Sequence, residues 1–379
     1  MNLFLGILGL LLLFATLWDA FETIILPRRV TRSLRFARLF YRVTWTIWSR
    51  IARGIRDTKL RERSLSYYGP LSLLGLFATW MLILIVVFAM LQFAAGSAMN
   101  APGETPSFKT DLYMSGTTFF TLGLGDVTPR TSLARVITVA EAGTGFGLLA
   151  IVISYLPTLY GAFSQRELNI SLLDARAGSP PTAAELLRRH AHLSGSDMLT
   201  RYLRDWEIWS AQLMESHLSY PVLCYFRSQH DNESWLAAFT AVLDVSALLV
   251  AYGTDSTKWQ ARLTFAISRH AVADLSQVLR VRPIPPDPDR LPAEDLPQVR
   301  KLLLECGTPN CTESGDRKLK ELRGMYEPYL NGMSRRLLMP LPSWGVGANF
   351  VENRKTVWGR ISSSPSGPAS PPTGESGHF

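Results

Sequence analysis

The chain has 379 residues, is 47% hydrophobic and carries a formal net charge of +8. That length leaves room for two or three domains, and three cysteines are too few for a scaffold built on disulfides. Apolar residues are concentrated near the N-terminus: residues 3–26, 71–93 and 134–160 are each long enough to cross about 30 Å of hydrocarbon.

Residues 1–27 read as a first transmembrane helix. No basic start precedes the apolar run and no small-x-small cleavage site follows it, so an uncleaved span is expected instead of a secretion signal. Asp19 and Glu22 lie three residues apart near its end, on one helical face. Acids at that depth call for partners, and Arg28, Arg29 or another basic residue of the next segment could supply a structural ion pair.

Residues 28–68 hold twelve basic residues against only Asp57 and Glu62. Such an excess of arginine places a short loop in the cytoplasm. The N-terminus is then outside, the second span runs outward and the third returns inward. Val30, Leu34, Ala37, Tyr41, Trp45, Trp48, Ala52 and Ile55 recur at helical spacing, which predicts an amphipathic helix with a basic face. That helix suits an anionic leaflet across 28–63; the alternative is packing on the C-terminal half. A basic segment tied between two spans is poorly placed for nucleic acid.

Between the second and third spans come a short amphipathic run, 111–120, and then Thr121-Leu122-Gly123-Leu124-Gly125-Asp126. A cation leaving water needs a ring of oxygens, and main-chain carbonyls supply one only if successive residues alternate in backbone hand. Glycine takes the left-handed value at no steric cost, and Gly123 and Gly125 fall at alternate positions. A phosphate loop would need a preceding strand and a following helix bearing Lys-Ser/Thr, and neither is present.

Span, short helix, Thr-x-Gly-x-Gly-Asp and span together resemble the pore module of the potassium-channel family, over residues 69–161. The resemblance implies an outer helix at 70–97, a pore helix at 111–120, a selectivity filter at 121–126 and an inner helix at 133–161. Filter carbonyls would replace the hydration shell of potassium, with the Thr121 hydroxyl at the inner end and the Asp126 carboxylate at the outer mouth. One pore loop per chain implies a homotetramer. The family's commonest filter has Val and Tyr where this chain has Leu122 and Leu124; leucine at the second position is similar to some animal two-pore-domain potassium channels. Without that phenol, Leu124 is expected to pack near Tyr113 or Phe119, leaving the filter held by van der Waals contact more than by hydrogen bonds.

The third span carries Gly143, Gly145 and Gly147. By resemblance, Gly143 or Gly145 is a gating hinge, although small residues also permit close helix packing. Pro157 is a second candidate bend, and residues 153–156 could form a hydrophobic gate. Glu141 is an acid within an apolar helix; it either braces the filter by bonding to Thr117 or Thr118, or faces the cavity and attracts cations. No span carries the regular arginines of a voltage sensor.

After Arg166 the composition becomes that of a soluble protein, and residues 165–345 read as a helical cytoplasmic domain. Helices are expected at 183–190, 198–217, 235–251, 258–279 and 296–305, separated by proline-rich stretches at 179–181 and 283–292. Asp231 or Asn232 is placed to cap the third of them. There is no glycine-rich dinucleotide turn and no run of short strands, so any ligand is unreadable. Cys224, Cys306 and Cys311 are expected as free thiols, and His190, His192, His217, His230 and His270 lack metal spacing. Residues 352–379 are rich in Ser, Pro and Gly and are expected to be disordered.

The expected fold is an all-α membrane protein: three transmembrane helices, a re-entrant pore helix with its filter, and an all-helical cytoplasmic domain. The expected function is a homotetrameric potassium channel of the cell membrane, with no cofactor and no metal beyond the permeating ion. No nucleophile–base or metal constellation suggests an enzyme. A weakly selective cation channel is the alternative within the class. A membrane-anchored helical signalling scaffold is the alternative outside it.

Overall fold

Among the described residues, four helices are long and apolar enough to cross a membrane: Leu3–Ile24, Thr58–Ala94, Ser132–Ala177 and Trp235–Tyr252. The computed structural model describes residues 2–26, 35–103, 105–191, 196–228, 233–308 and 311–346. The described residues form two compact units, one of Met1–Glu167, Gln212–Asp231 and Gln277–Arg280, the other of Leu168–Ala211, Asn232–Ser276 and Val281–Phe379. The expected division at 165–345 is drawn differently here, with Gln212–Asp231 and Gln277–Arg280 falling in the first unit.

In the first unit, α1 (Asn2–Ile24) packs along α3 (Thr58–Ala94). Gly9 permits the approach, since a Cβ there would come within 2.9 Å of Leu91. Asp19 accepts from Trp80 Nε1 at 3.1 Å and from the Ala37 amide at 3.0 Å, and Glu22 pairs with Arg35 at 3.4 Å. The acids are thus partnered as expected, but by Trp80, Ala37 and Arg35; Arg28 and Arg29 lie outside the described residues. Helix α3 begins at Thr58, twelve residues before the expected 70. Asp57 caps it by accepting from Lys59 N at 2.8 Å, and Pro70 sits inside the helix without ending it.

Helix α2 (Phe36–Gly54) carries the expected apolar stripe and a second one that the spacing analysis did not single out. Ala37, Trp45 and Ala52 are buried, with Trp45 stacked edge-on against Tyr68 of α3 at 4.7 Å. The stripe expected to meet a leaflet is therefore turned to protein. A second stripe at four-residue spacing, Leu39, Val43, Ile47 and Ile51, is exposed. Val30 and Leu34 lie outside the described residues.

Beyond α3, the two-residue strands β1 (Met99–Asn100) and β2 (Thr128–Pro129) pair antiparallel on either side of the re-entrant helix α4 (Phe108–Phe119). Helix α5 (Ser132–Ala177) runs 46 residues, sixteen past the expected end at 161. The buried positions Arg166, Ile170, Leu173 and Ala177 keep helical spacing through that extension, and Pro157 is accommodated within the helix.

The second unit contains α6 (Ala183–Ala191), the first part of α7 (Ser196–Ser219), α8 (Trp235–Tyr252), most of α9 (Asp255–Val278), α10 (Leu296–Glu305), α11 (Glu313–Gly324) and α12 (Glu327–Leu337). Helix α8 is apolar enough to span a membrane, yet Trp235 to Val250 are buried without exception, so it serves as a core helix. Its cap is Ser234, which accepts from Ala237 N at 3.5 Å; Asp231 and Asn232 lie outside the described residues, as do His192, His230 and the 352–379 tail. Helices α11 and α12 were not expected, although Leu319 and Leu322 of α11 and Leu330, Met333 and Leu337 of α12 are buried at helical spacing. The three cysteines are free thiols.

An ionic cluster anchors α8. Asp244, fully buried, takes both arms of Arg290 at 2.8 and 3.0 Å and the Tyr326 hydroxyl at 2.6 Å. Arg290 also reaches Glu327 at 2.8 Å, Arg323 pairs with Glu327 and Asp289, and both guanidiniums lie over the Trp344 ring. Removing one partner strands the other's charge in the core. Asp244→Ala is accordingly expected to destabilise the second unit by about 3–5 kcal/mol, measured by chemical denaturation of the purified protein. A loss within error of zero would contradict this role for the cluster.

Candidate ion pathway

Helix α4 starts three residues before the expected 111 and ends one before 120, because Ser107 caps it: its amide donates to Thr110 Oγ1 at 3.2 Å. Asp111, in the first turn, is buried and accepts from Ser97 Oγ at 2.6 Å. A carboxylate there complements the positive end of the helix dipole. Phe119 packs with Leu84, Ile85 and Leu148 in a buried cluster that joins α4 to α3 and α5.

The chain then turns sharply. Thr121 N donates to Thr118 O at 3.0 Å, and Leu122 N and Gly123 N converge on Thr117 O at 2.8 and 3.4 Å. Thr117 and Thr118 therefore support the loop through their carbonyls. Within the loop, φ is +58° at Thr121, +54° at Gly123 and +81° at Gly125. Alternate residues are left-handed, which is the requirement that the two glycines meet without strain. Thr121 meets it at a cost, since a β-branched residue is rarely left-handed; such outliers cost about 1–3 kcal/mol and persist where the surroundings fix them.

The outer side of the loop is tied by hydrogen bonds. Tyr113 of α4 donates to Asp126 Oδ2 at 2.8 Å, and past Asp126 the β1–β2 pairing holds the chain to the end of α3. Leu122 and Leu124 are 62% and 65% exposed. The expected packing of Leu124 near Tyr113 or Phe119 is thus corrected: the Tyr113 hydroxyl, reaching Asp126, takes the place of the missing phenol as the tether between helix and loop.

Glu141 of α5 is buried and hydrogen-bonds to Ser115 of α4, whose Oγ also lies 2.7 Å from the Ile85 carbonyl of α3. Three helices meet at that point. The acid faces the back of α4 as one reading had it, but its partner is Ser115 and not Thr117 or Thr118. Ser115 and Tyr113 were not singled out in the sequence. The signal for Ser115 was present, since Asp111, Ser115 and Thr118 mark one polar, buried face at helical spacing.

The two hinge candidates differ. A Cβ on Gly145 would collide with the Phe119 carbonyl, so this glycine exists to let α5 touch the end of α4. Gly143 faces open space. Pro157 lies about 18 Å further along α5, at 1.5 Å per residue, and is not part of the loop's surroundings.

Residues 76–160, which hold parts of two helices long and apolar enough to cross a membrane with α4 and the loop of alternating backbone hand between them, match the family model described as "Ion channel", which supports an ion-channel pore module in this part of the chain. The uncharacterized membrane protein YdjJ of Bacillus subtilis (strain 168) is 24% identical over 219 residues, covering 54% of this chain. The chain spans 62% of that relative's length. No solved structure matches.

Gly145→Ala is expected to destabilise the module by about 1–3 kcal/mol, the usual cost of overpacking. Gly143→Ala should be neutral or stabilising, because alanine is the better helix former. Thermal unfolding in detergent separates them; equal midpoints for the two variants would refute the close-contact assignment.

Proposed function

We propose that the protein is a potassium channel that conducts through a ring of Thr121–Asp126 loops contributed by four copies of the chain. The observation that carries the reading is the alternation of backbone hand at Thr121, Gly123 and Gly125, flanked by two membrane helices. A loop with that alternation can turn successive carbonyls to one side, where they replace water around a dehydrated cation. Asp126 concentrates cations at the mouth, and the C-terminal end of α4 adds partial negative charge below.

The tetramer is inferred from a solvation constraint. All six residues from Thr121 to Asp126 are exposed in a single chain. Non-helical backbone at membrane depth is tolerated only where protein covers it or water lines it, and symmetric copies around an aqueous axis supply both conditions. A signalling scaffold gives the loop no role. Glu141 and Ser115 brace α4 from behind, Gly143 and Pro157 are the remaining candidate bends, and residues 153–156 form the gate.

The N-terminus is assigned to the outside and the second unit to the cytoplasm, from the arginine excess of 28–63. On α2, the exposed stripe Leu39, Val43, Ile47 and Ile51, flanked by Arg42, Arg50 and Arg53, is assigned to an anionic leaflet. A weakly selective cation channel is the second reading, favoured by the exposure of Leu122 and Leu124 and by the absence of an aromatic ring at 124.

Gly123→Ala tests the filter. It places a side chain where φ is +54°, and potassium efflux from proteoliposomes is expected to fall at least about tenfold, equivalent to about 1.4 kcal/mol on the conduction barrier. Efflux equal to wild type, from protein that assembles normally, would overturn the assignment of 121–126 as the conducting segment.

A further inference from the structure

We infer that residues 220–227 form the element through which the second unit sets the pore's open probability, and that Arg166 is the residue positioning the far end of the pore-lining helix against it. The inference rests on the channel reading above.

Arg166 lies on α5, beyond its membrane span, and is buried. A guanidinium has five N–H donors in a fixed plane, and here all five are used. Nε and one Nη2 donor meet Glu167 Oε1 at 2.9 and 2.8 Å. The other Nη2 donor goes to the Phe226 carbonyl at 3.0 Å, and the Nη1 donors go to the Leu223 carbonyl at 3.0 Å and to His217 Nε2 at 3.2 Å. The opposite nitrogen of His217 is 2.9 Å from the Leu213 carbonyl. Only the neutral imidazole with its proton on Nδ1 satisfies both contacts, so that tautomer is assigned from its partners. Burial and the adjacent guanidinium hold His217 well below its ordinary pKa, consistent with this state.

The carbonyls that Arg166 grips belong to the 3₁₀ turn Pro221–Tyr225 and the residue after it. That segment is wedged among three helices. Phe226 meets Phe163 of α5 in a tilted contact at 5.6 Å and lies so close to α3 that a Cβ on Gly69 would come within 2.6 Å of its ring. Tyr225 is packed between Trp45 of α2 at 4.9 Å and Tyr68 of α3 at 5.3 Å, and Arg227 pairs with Glu62 of α3 at 3.4 Å. Tyr220 meets Tyr155 of α5 at 5.5 Å, within the 153–156 stretch assigned to the gate.

The wedge is one of the chain's routes to the second unit, besides α5 itself, whose Leu168–Ala177 end belongs to that unit. It follows directly from α7, whose first part belongs to that unit, and it leads on to α8, the buried core helix. A displacement of either helix is delivered to residues 220–227, and from there to α5 through Arg166. Lysine has three donors on a flexible stem and cannot reproduce this grip.

The test is single-channel recording of the full-length protein in planar bilayers, with Arg166→Lys and Gly69→Ala as independent variants. Arg166→Lys loosens the wedge from α5, and Gly69→Ala pushes it off α3. Both are expected to change open probability at least about fivefold in the same direction, the lower end of ordinary coupling between sites. Unitary conductance and reversal potential should be unchanged, a split that a general loss of structure would not produce. Faster hydrogen exchange at amides 222–227 in both variants is the accompanying expectation. Open probability equal to wild type in both variants, or conductance and selectivity altered along with it, would overturn the inference while leaving the channel reading intact. A wild-type protein that passes no ions would instead overturn the channel reading, and the inference with it.

Discussion

A backbone that leaves its helix within the membrane has polar groups that hydrocarbon cannot satisfy. In the proposed pore, residues 120–127 do this between α3 and α5, and much of the first unit answers that constraint. The amides of Thr121, Leu122 and Gly123 fold back on the carbonyls of Thr117 and Thr118. Tyr113 holds Asp126, the β1–β2 pair closes the loop to the end of α3, and Gly145 lets α5 come up against the last carbonyl of α4. What stays exposed in the single chain is the stretch with alternating backbone hand. In the proposed tetramer that remainder faces the ion.

Below the loop, rigidity is built from buried polar contacts as well as from apolar packing. Ser115 joins the Glu141 carboxyl to the Ile85 carbonyl, and Gln92 of α3 donates to Ala134 O and Thr138 Oγ1 of α5, both at 3.1 Å. Hydrogen bonds between buried polar groups favour one arrangement of helices, because breaking them in a low-dielectric interior strands both partners. The same logic appears in Arg166, whose five donors meet four acceptor atoms, and in the Asp244–Arg290–Glu327–Arg323 cluster of the second unit. Each lies where a long helix must be held in one register.

The pore module was legible in the sequence because its signals are local. Two apolar spans, a short helix and glycines at alternate positions need no knowledge of distant residues. Asp19 and Glu22 were legible as acids needing partners, and Glu22 finds one in Arg35 of the basic segment, but the partner of Asp19 was not legible: Trp80 is 61 positions away and nothing in the spacing joins them. Leu124 misled, because the absence of one phenol drew attention away from another at Tyr113. The helical ends of α3 and α5 misled for a related reason. Proline and loss of apolarity usually end a helix, whereas here Pro70 is accommodated and α5 continues on protein contacts beyond its span. The wedge at 220–227 carried no motif. Its role exists only in three dimensions, where a 3₁₀ turn with aromatic side chains is inserted among α2, α3 and α5.

The central claim is that Thr121–Asp126 conducts potassium selectively, and the reversal potential tests it most directly. Purified protein would be placed in a planar bilayer with potassium on one side and sodium on the other. Current is expected to reverse close to the potassium equilibrium potential, because a narrow ring of carbonyls would replace the hydration shell of potassium and not that of sodium. Open-channel current reversing near zero would contradict it, showing a cation pore whose leucine-bearing loop does not discriminate.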